Sequence, residues 1–156
     1  MKMYLDVDDT INAHMPTGWG RTTNKYVRIE GYPHAFRMRW APRLIEALRA
    51  LPVEYEWLTS WRSDAPTSLG PVFEFGEGFP ATVQGHGGPL PIDVKLSAIT
   101  RRHHWDDTFV WADNELTDDH RGLFKNALLV TPNERMGLRP EDLEWVTEYL
   151  QERSDS

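Results

Sequence analysis

The chain has 156 residues, enough for one domain that buries roughly 70% of the surface its unfolded form exposes, so it needs no covalent staple to fold. It has no cysteine, which excludes a disulfide framework, a thiolate metal site and cysteine catalysis together. Acids outnumber bases 24 to 17, and the net charge of -7 excludes a protein that grips nucleic acid or anionic lipid with its whole surface.

Tyr4, Leu5 and Val7 form a short apolar run that breaks into Asp6, Asp8, Asp9 and Thr10. The pattern predicts a strand that delivers carboxylates at its C-terminal end. Acids this early leave no room for the apolar stretch of a signal peptide, and no window approaches the roughly 18 apolar residues of a membrane span. The expectation is a soluble, cytoplasmic protein with no membrane partner. From Asn12 to Trp40 the composition changes. Five bases (Arg21, Lys25, Arg28, Arg37, Arg39) stand against Glu30, a net charge of +4, which leaves -11 on the rest of a chain whose total is -7. Tyr26–Ile29 and Phe36–Trp40 alternate apolar with polar around Glu30-Gly31-Tyr32-Pro33, which reads as a hairpin or paired loop.

Pro42 to Leu51 predicts the first clear helix, with proline near its start and Leu44, Ile45, Leu48 and Leu51 at helical spacing. Tyr55 to Leu58 reads as a second strand ending at Thr59-Ser60. Ala65 to Gly70 supplies a turn or two of helix, and Ala81-Thr82-Val83 a short third strand within a stretch rich in glycine and proline. Asp93 to His104 predicts a helix with Asp93 as its cap or first-turn acid. Phe109 to Ala112 predicts a buried strand broken by Asp113, and Ala127 to Val130 another. Pro140 opens a last amphipathic helix carrying Leu143, Val146 and Leu150 on one face. Short apolar strands alternating with helices are the pattern of an α/β fold whose parallel sheet is covered on both faces. Residues 1–156 read as one such domain, with 12–40 as a basic insertion.

In an open parallel sheet, ligands bind beyond the carboxyl ends of the strands. Asp6, Asp8 and Asp9 follow the first strand, Thr59 and Ser60 the second, and Asp113, Asn114 and Glu115 the fourth, with Asp118 just beyond. Lys95 sits in the first turn of the preceding helix. This order of acid pair, hydroxyl, lysine and acid resembles the four motifs of the haloacid dehalogenase (HAD) superfamily of phosphohydrolases. Receiver domains carry similar residues in another order. Val110–Leu116, Thr131-Pro132 with Gly137-Leu138, and Trp145 on the last helix look like a small capless HAD subgroup. That subgroup is known from RNA-repair fusion proteins and from actinobacterial and phage proteins. The resemblance implies a three-layer Rossmann-like HAD fold with a central parallel sheet, in which 12–40 forms a short flap in place of a cap. It also implies a phosphatase acting on nucleic-acid ends or nucleotides.

The chemistry of the residues agrees. A carboxylate can attack phosphorus and form an aspartyl-phosphate, the role expected of Asp6. Asp8, two residues on in an extended segment, faces the same way and can protonate the leaving oxygen. Thr59, Ser60 and Lys95 can receive phosphoryl oxygens. Crowded carboxylates and a phosphate dianion call for a hard cation, and Mg2+ fits Asp6, Asp8 through its carbonyl, and Asp113. Asn114 stands where the family has a second acid, and Asp118 can substitute through a water. Arg62, Arg28, Arg37 and Arg39 are candidate substrate contacts, and Trp19 and Trp61 could stack on a base or fill core. His103-His104, at a helix C-terminus, suit the helix dipole as well as a metal. The alternatives are a small-metabolite phosphatase, with the flap as a lid, and a non-catalytic phosphate- or protein-binding module.

Overall fold

A computed structural model describes residues 1–76 and 78–155. The first apolar run forms β1 (Lys2–Leu5), which pairs in parallel with β4 (Glu54–Trp57) on one side and β5 (Val110–Ala112) on the other. Strand β6 (Leu128–Val130) extends the sheet beyond β5, giving the order β4-β1-β5-β6. β5 and β6 are continuous apolar runs because both faces of the sheet are covered, while the edge strand β4 alternates Glu54 and Glu56 with Tyr55 and Trp57. Met3, Leu5, Tyr55, Trp57, Val110, Ala112 and Val130 point to one face, into a core shared with helices α1 (Pro42–Ala50) and α5 (Pro140–Ser154). Tyr4, Trp111 and Leu129 point to the other, against Ile99 of α3 (Ile92–Arg102), Leu116 and Phe124. The alternation of Met3, Tyr4 and Leu5 between two cores is the period-2 geometry of a strand. The α/β class with a central parallel sheet is therefore the observed architecture.

The basic segment forms a separate antiparallel hairpin of β2 (Thr23–Val27) and β3 (Phe36–Trp40). The expected hairpin is present, but its first strand is earlier than Tyr26–Ile29. Val27 pairs with Phe36 and Thr23 with Trp40, so Arg28 and Ile29 lie in the connection. Met38, Val27 and Trp40 are buried beneath the hairpin, while Tyr26 and Arg37, directly opposite each other, lie on its exposed face.

The third strand expected at Ala81–Val83 is reduced to a single bridge between Ala81 and Trp57. Trp57 N–H donates to the Pro80 carbonyl and Thr82 N–H to the Trp57 carbonyl. Pro80 has no N–H, so no ladder continues behind it. Ala65–Leu69 is a π-helical turn running into α2 (Gly70–Phe73), and a four-residue helix α4 (Asp118–Arg121), absent from the sequence reading, follows β5. Thr117 N–H donates to the His120 ring at the start of α4, closing the turn locally. No helix among the described residues is long and apolar enough to cross a membrane.

Candidate functional site

The chain leaves β1 toward β4 on one side and later returns to β5 on the other. The crevice beyond the carboxyl ends of β1 and β5 is thus where the strand order reverses, the place where open parallel sheets bind ligands. Asp6 follows β1 and Asp113 follows β5. Backbone bonds continue the ladder past the strands, with Asp6 N–H on the Ala112 carbonyl and Asp113 N–H on the Val130 carbonyl, each at 3.1 Å. That continuation fixes the two carboxylates side by side.

Lys95 joins them. Its Nζ lies 2.6 Å from Asp113 Oδ2 and 3.3 Å from Asp6 Oδ2. All three are buried, with 3% of Lys95, 6% of Asp6 and none of Asp113 exposed. Each acid also receives a backbone N–H: Val7 donates to Asp6 Oδ1 at 2.8 Å, and Glu115 to Asp113 Oδ1 at 2.9 Å. Burial pushes the Asp6 carboxyl up to about 7, Asp113 adding to the shift and the Lys95 ammonium opposing it. Burial alone would pull the Lys95 ammonium down, but Asp6 and Asp113 outweigh it and hold the ammonium above its ordinary value. Lys95 therefore stays charged between two acids.

After Asp6 the chain turns sharply. The N–H groups of Thr10, Ile11 and Asn12 all converge on the Val7 carbonyl, and Asp9 takes a left-handed conformation at φ 60°. Asparagine and aspartate tolerate that region better than most residues. A second turn props the first from outside. Leu138 N–H donates to the Thr10 carbonyl, and Gly137, at φ 67°, passes so close that a Cβ there would stand 2.7 Å from that oxygen. The Thr10 hydroxyl is buried and, among the described residues, has no partner.

Asp8 is held at both oxygens. Asn12 Nδ2 donates to Oδ1 at 2.9 Å and Trp61 Nε1 to Oδ2 at 3.0 Å. Thr59 is buried and its Oγ1 accepts the backbone N–H of Trp61, while Ser60 lines the cleft. The cleft measures about 370 Å³, with Asp6, Asp8, Asp9, Asn114, Glu115 and Lys95 among its walls. Pro89, Leu90 and Pro91 form another wall, and that loop is tied down by its neighbours. Ser63 Oγ accepts the Gly85 N–H, Asp64 the Gly87 N–H, and an Arg62 guanidinium N–H donates to the Pro89 carbonyl.

The structure thus brings Asp6, Asp8, Ser60, Lys95, Asp113 and Asn114 together, with Thr59 just behind. Asn114 Nδ2 lies 3.5 Å from Asp9 Oδ2, facing its amide nitrogen to an acid. Asp118 does not reach the cleft: its carboxylate is exposed and paired with Arg121 at 3.1 Å on α4. Arg62 serves the loop. Arg37 and Arg39 line an adjoining cavity of about 230 Å³ with Asp9, Asn12 and His14, so Asp9 is the wall between the two spaces. Arg28 is exposed and lines neither. His103 stacks on Phe109 and hydrogen-bonds Tyr4 at 2.7 Å, which is a core role. Trp19 donates to the Leu138 carbonyl and lines an apolar groove of about 670 Å³ between α1 and α5, away from the acids. Trp61 is buried, so its ring offers no open platform to a base.

Sequence reasoning missed Asn12 and Trp61 as partners of Asp8, whereas Glu115, expected in the crevice after β5, does line it. For Trp61 the available signal was its place directly after Thr59-Ser60. Among the described residues no three His, Cys, Asp or Glu side chains form a group that could hold a metal ion by themselves. A cation here would need main-chain or amide oxygen as well as the carboxylates. No family model matches the chain, no curated protein matches it, and no solved structure matches it.

Proposed function

We propose that the protein is a phosphomonoester hydrolase of HAD type, working through an aspartyl-phosphate on Asp6 and using magnesium. The observation that carries this reading is the meeting of Asp6, Asp8 and Lys95 in one cleft at the carboxyl edge of a parallel sheet, with Asp113 beside them. In the first step an Asp6 oxygen bonds to phosphorus, the bond to the leaving oxygen breaks, and Asp8 gives that oxygen its proton. In the second, Asp8 takes a proton from water, the water oxygen bonds to phosphorus, and the bond to Asp6 breaks to release inorganic phosphate. Lys95 holds Asp6 in place and offers positive charge to the phosphoryl oxygens, and Ser60 offers a hydroxyl.

The donor set fits a hard cation in its chemistry. Four acids of the cleft wall, Asp6, Asp8, Asp9 and Glu115, face one ammonium, so an incoming phosphate meets net repulsion. Asp6, the Asp8 carbonyl, Asp113 and the Asn114 amide oxygen would hold magnesium, an ion that keeps several waters and needs few protein ligands. Bound there, it would neutralise charge on the phosphoryl group.

Two observations bear on the substrate. The cavity with Arg37 and Arg39 adjoins the cleft, which favours a substrate with a further phosphate, such as a nucleotide or a nucleic-acid end. The Gly85–Pro91 loop narrows the cleft, which favours a small metabolite with the hairpin as lid. Hydrolysis of p-nitrophenyl phosphate with magnesium tests the activity, and Asp6→Asn must abolish it. Absence of turnover refutes the mechanism and leaves a phosphate-binding module, and turnover that survives Asp6→Asn refutes Asp6 as the nucleophile. Charge reversal at Arg37 and Arg39 tests the substrate: it should raise KM for phosphorylated oligonucleotides and leave p-nitrophenyl phosphate unaffected. Equal effects on both favour the lid.

A further inference from the structure

We infer that Trp61 is a positioning residue for the Asp8 carboxyl and ties that carboxyl to the seating of the β2–β3 hairpin. The inference rests on the phosphatase reading, and concerns how the proton donor of that reaction is aimed.

An indole N–H can only donate, so it holds whichever Asp8 oxygen must accept, here Oδ2 at 3.0 Å. Asn12 holds the other oxygen. With a donor on each oxygen, the carboxyl plane cannot rotate without breaking a bond. Both donors are themselves anchored in the hairpin. Asn12 Oδ1 accepts the backbone N–H of Arg39 on β3 at 2.8 Å. The Trp61 ring meets Phe36, at the start of β3, edge-to-face at 4.8 Å between centroids, and Tyr32, in the hairpin turn, at 5.9 Å. Tyr32 in turn abuts Gly87 so closely that a Cβ there would stand 1.8 Å from its hydroxyl oxygen. On its own loop, Trp61 is set by the Thr59 hydroxyl and followed by Arg62 at φ 50°, a backbone conformation that side chains rarely adopt. Trp61 therefore touches the β1 loop through its indole N–H on Asp8 and the hairpin through two rings, while its backbone N–H on Thr59 fixes it to its own loop after β4. A hairpin lifted from the body would release both holds on Asp8 together.

Asp8 matters to the first step in proportion to how much the leaving oxygen needs a proton. Alkoxides need it, whereas p-nitrophenolate leaves almost unaided. The first irreversible step is reported by kcat/KM, so the test is its dependence on leaving-group pKa. Trp61→Phe keeps a ring against Phe36 and Tyr32 and removes the N–H together with part of the indole's bulk. It should lower kcat/KM for alkyl phosphates such as glycerol 2-phosphate by roughly 10- to 100-fold, and for p-nitrophenyl phosphate by no more than about 3-fold. Phe36→Leu, which leaves the N–H and loosens the ring, should act in the same direction and less. Urea midpoints of both variants within reach of the wild type establish that they are folded. Equal losses on both substrates, or no loss on either, overturn the positioning role and leave Trp61 as packing. A wild type that turns over neither substrate overturns the phosphatase reading, and this inference with it.

Discussion

Lys95→Met replaces a buried ammonium with an apolar chain of similar length, and its consequence can be worked from two distances. At an effective dielectric of about 20, a unit charge 2.6 Å from Asp113 and 3.3 Å from Asp6 contributes about 6 and about 5 kcal/mol of attraction. Most of that offsets the cost of taking the ammonium out of water, so the net worth of the cluster is small. Removing one partner is different, because it leaves two acids buried against each other without compensation, a loss of about 3–5 kcal/mol. Urea denaturation in EDTA at pH 8, followed by tryptophan fluorescence, should show this loss; Trp111 is fully buried and reports the core between sheet and α3. Adding Asp6→Asn to Lys95→Met should restore at least half of it, since the stranded charge is then gone, and the double-mutant cycle gives the coupling directly. Magnesium should rescue Lys95→Met more than it stabilises the wild type. A single-variant loss below about 1 kcal/mol, or a double variant that is merely additive, refutes the assignment of Lys95 as counter-ion to both acids.

EDTA should remove phosphatase activity and magnesium restore it; Asp113→Asn should abolish the restored rate, and Asp118→Asn, whose carboxylate is exposed on α4, should leave it within about 2-fold. Glu56 gives a pH prediction away from the cleft. Burial pushes this carboxyl up, but the Thr82 hydroxyl, the Arg102 guanidinium and Lys2 outweigh that and hold it below its ordinary value of 4.5. Its folded pKa is depressed, so its contribution is complete above the unfolded pKa and is lost as pH falls through the folded one. The urea midpoint should therefore drop more steeply between pH 5 and pH 3 in the wild type than in Glu56→Gln, and parallel slopes would refute this. Gly137→Ala puts a methyl 2.7 Å from the Thr10 carbonyl at a left-handed φ of 67°, and should cost about 1–3 kcal/mol by denaturation; a neutral result would show that the prop is dispensable.

What could be read in the sequence followed the physics of short range. Tyr4-Leu5, Val110-Trp111-Ala112 and Leu128-Leu129-Val130 are buried on both faces, so they appear as unbroken apolar runs, and the acid ending each of the first two runs marks the sheet's carboxyl edge. Because a parallel sheet gathers its strand ends at one edge, that pattern also located Asp6 and Asp113 as neighbours without any knowledge of their distance. Ala81-Thr82-Val83 has the same apolar look and makes only one bridge, because Pro80 and the nearby glycines decide what the backbone can do there. Asp118 failed for a related reason: counting residues places it near the site, but the turn into α4 points its carboxylate at Arg121 and solvent. The hold of Trp61 on Asp8 spans 53 residues, and a left-handed residue directly follows each partner, Asp9 at φ 60° and Arg62 at φ 50°. Aspartate permits that conformation without announcing it, and arginine rarely adopts it. A tryptophan after a strand reads as core, and it is core; the single polar atom of its ring then becomes a hydrogen-bond donor aimed by the packing around it. Long-range positioning of this kind is set by the backbone of loops and by what their rings rest on, so in this protein the acids could be found from their order while the groups that aim them required the fold.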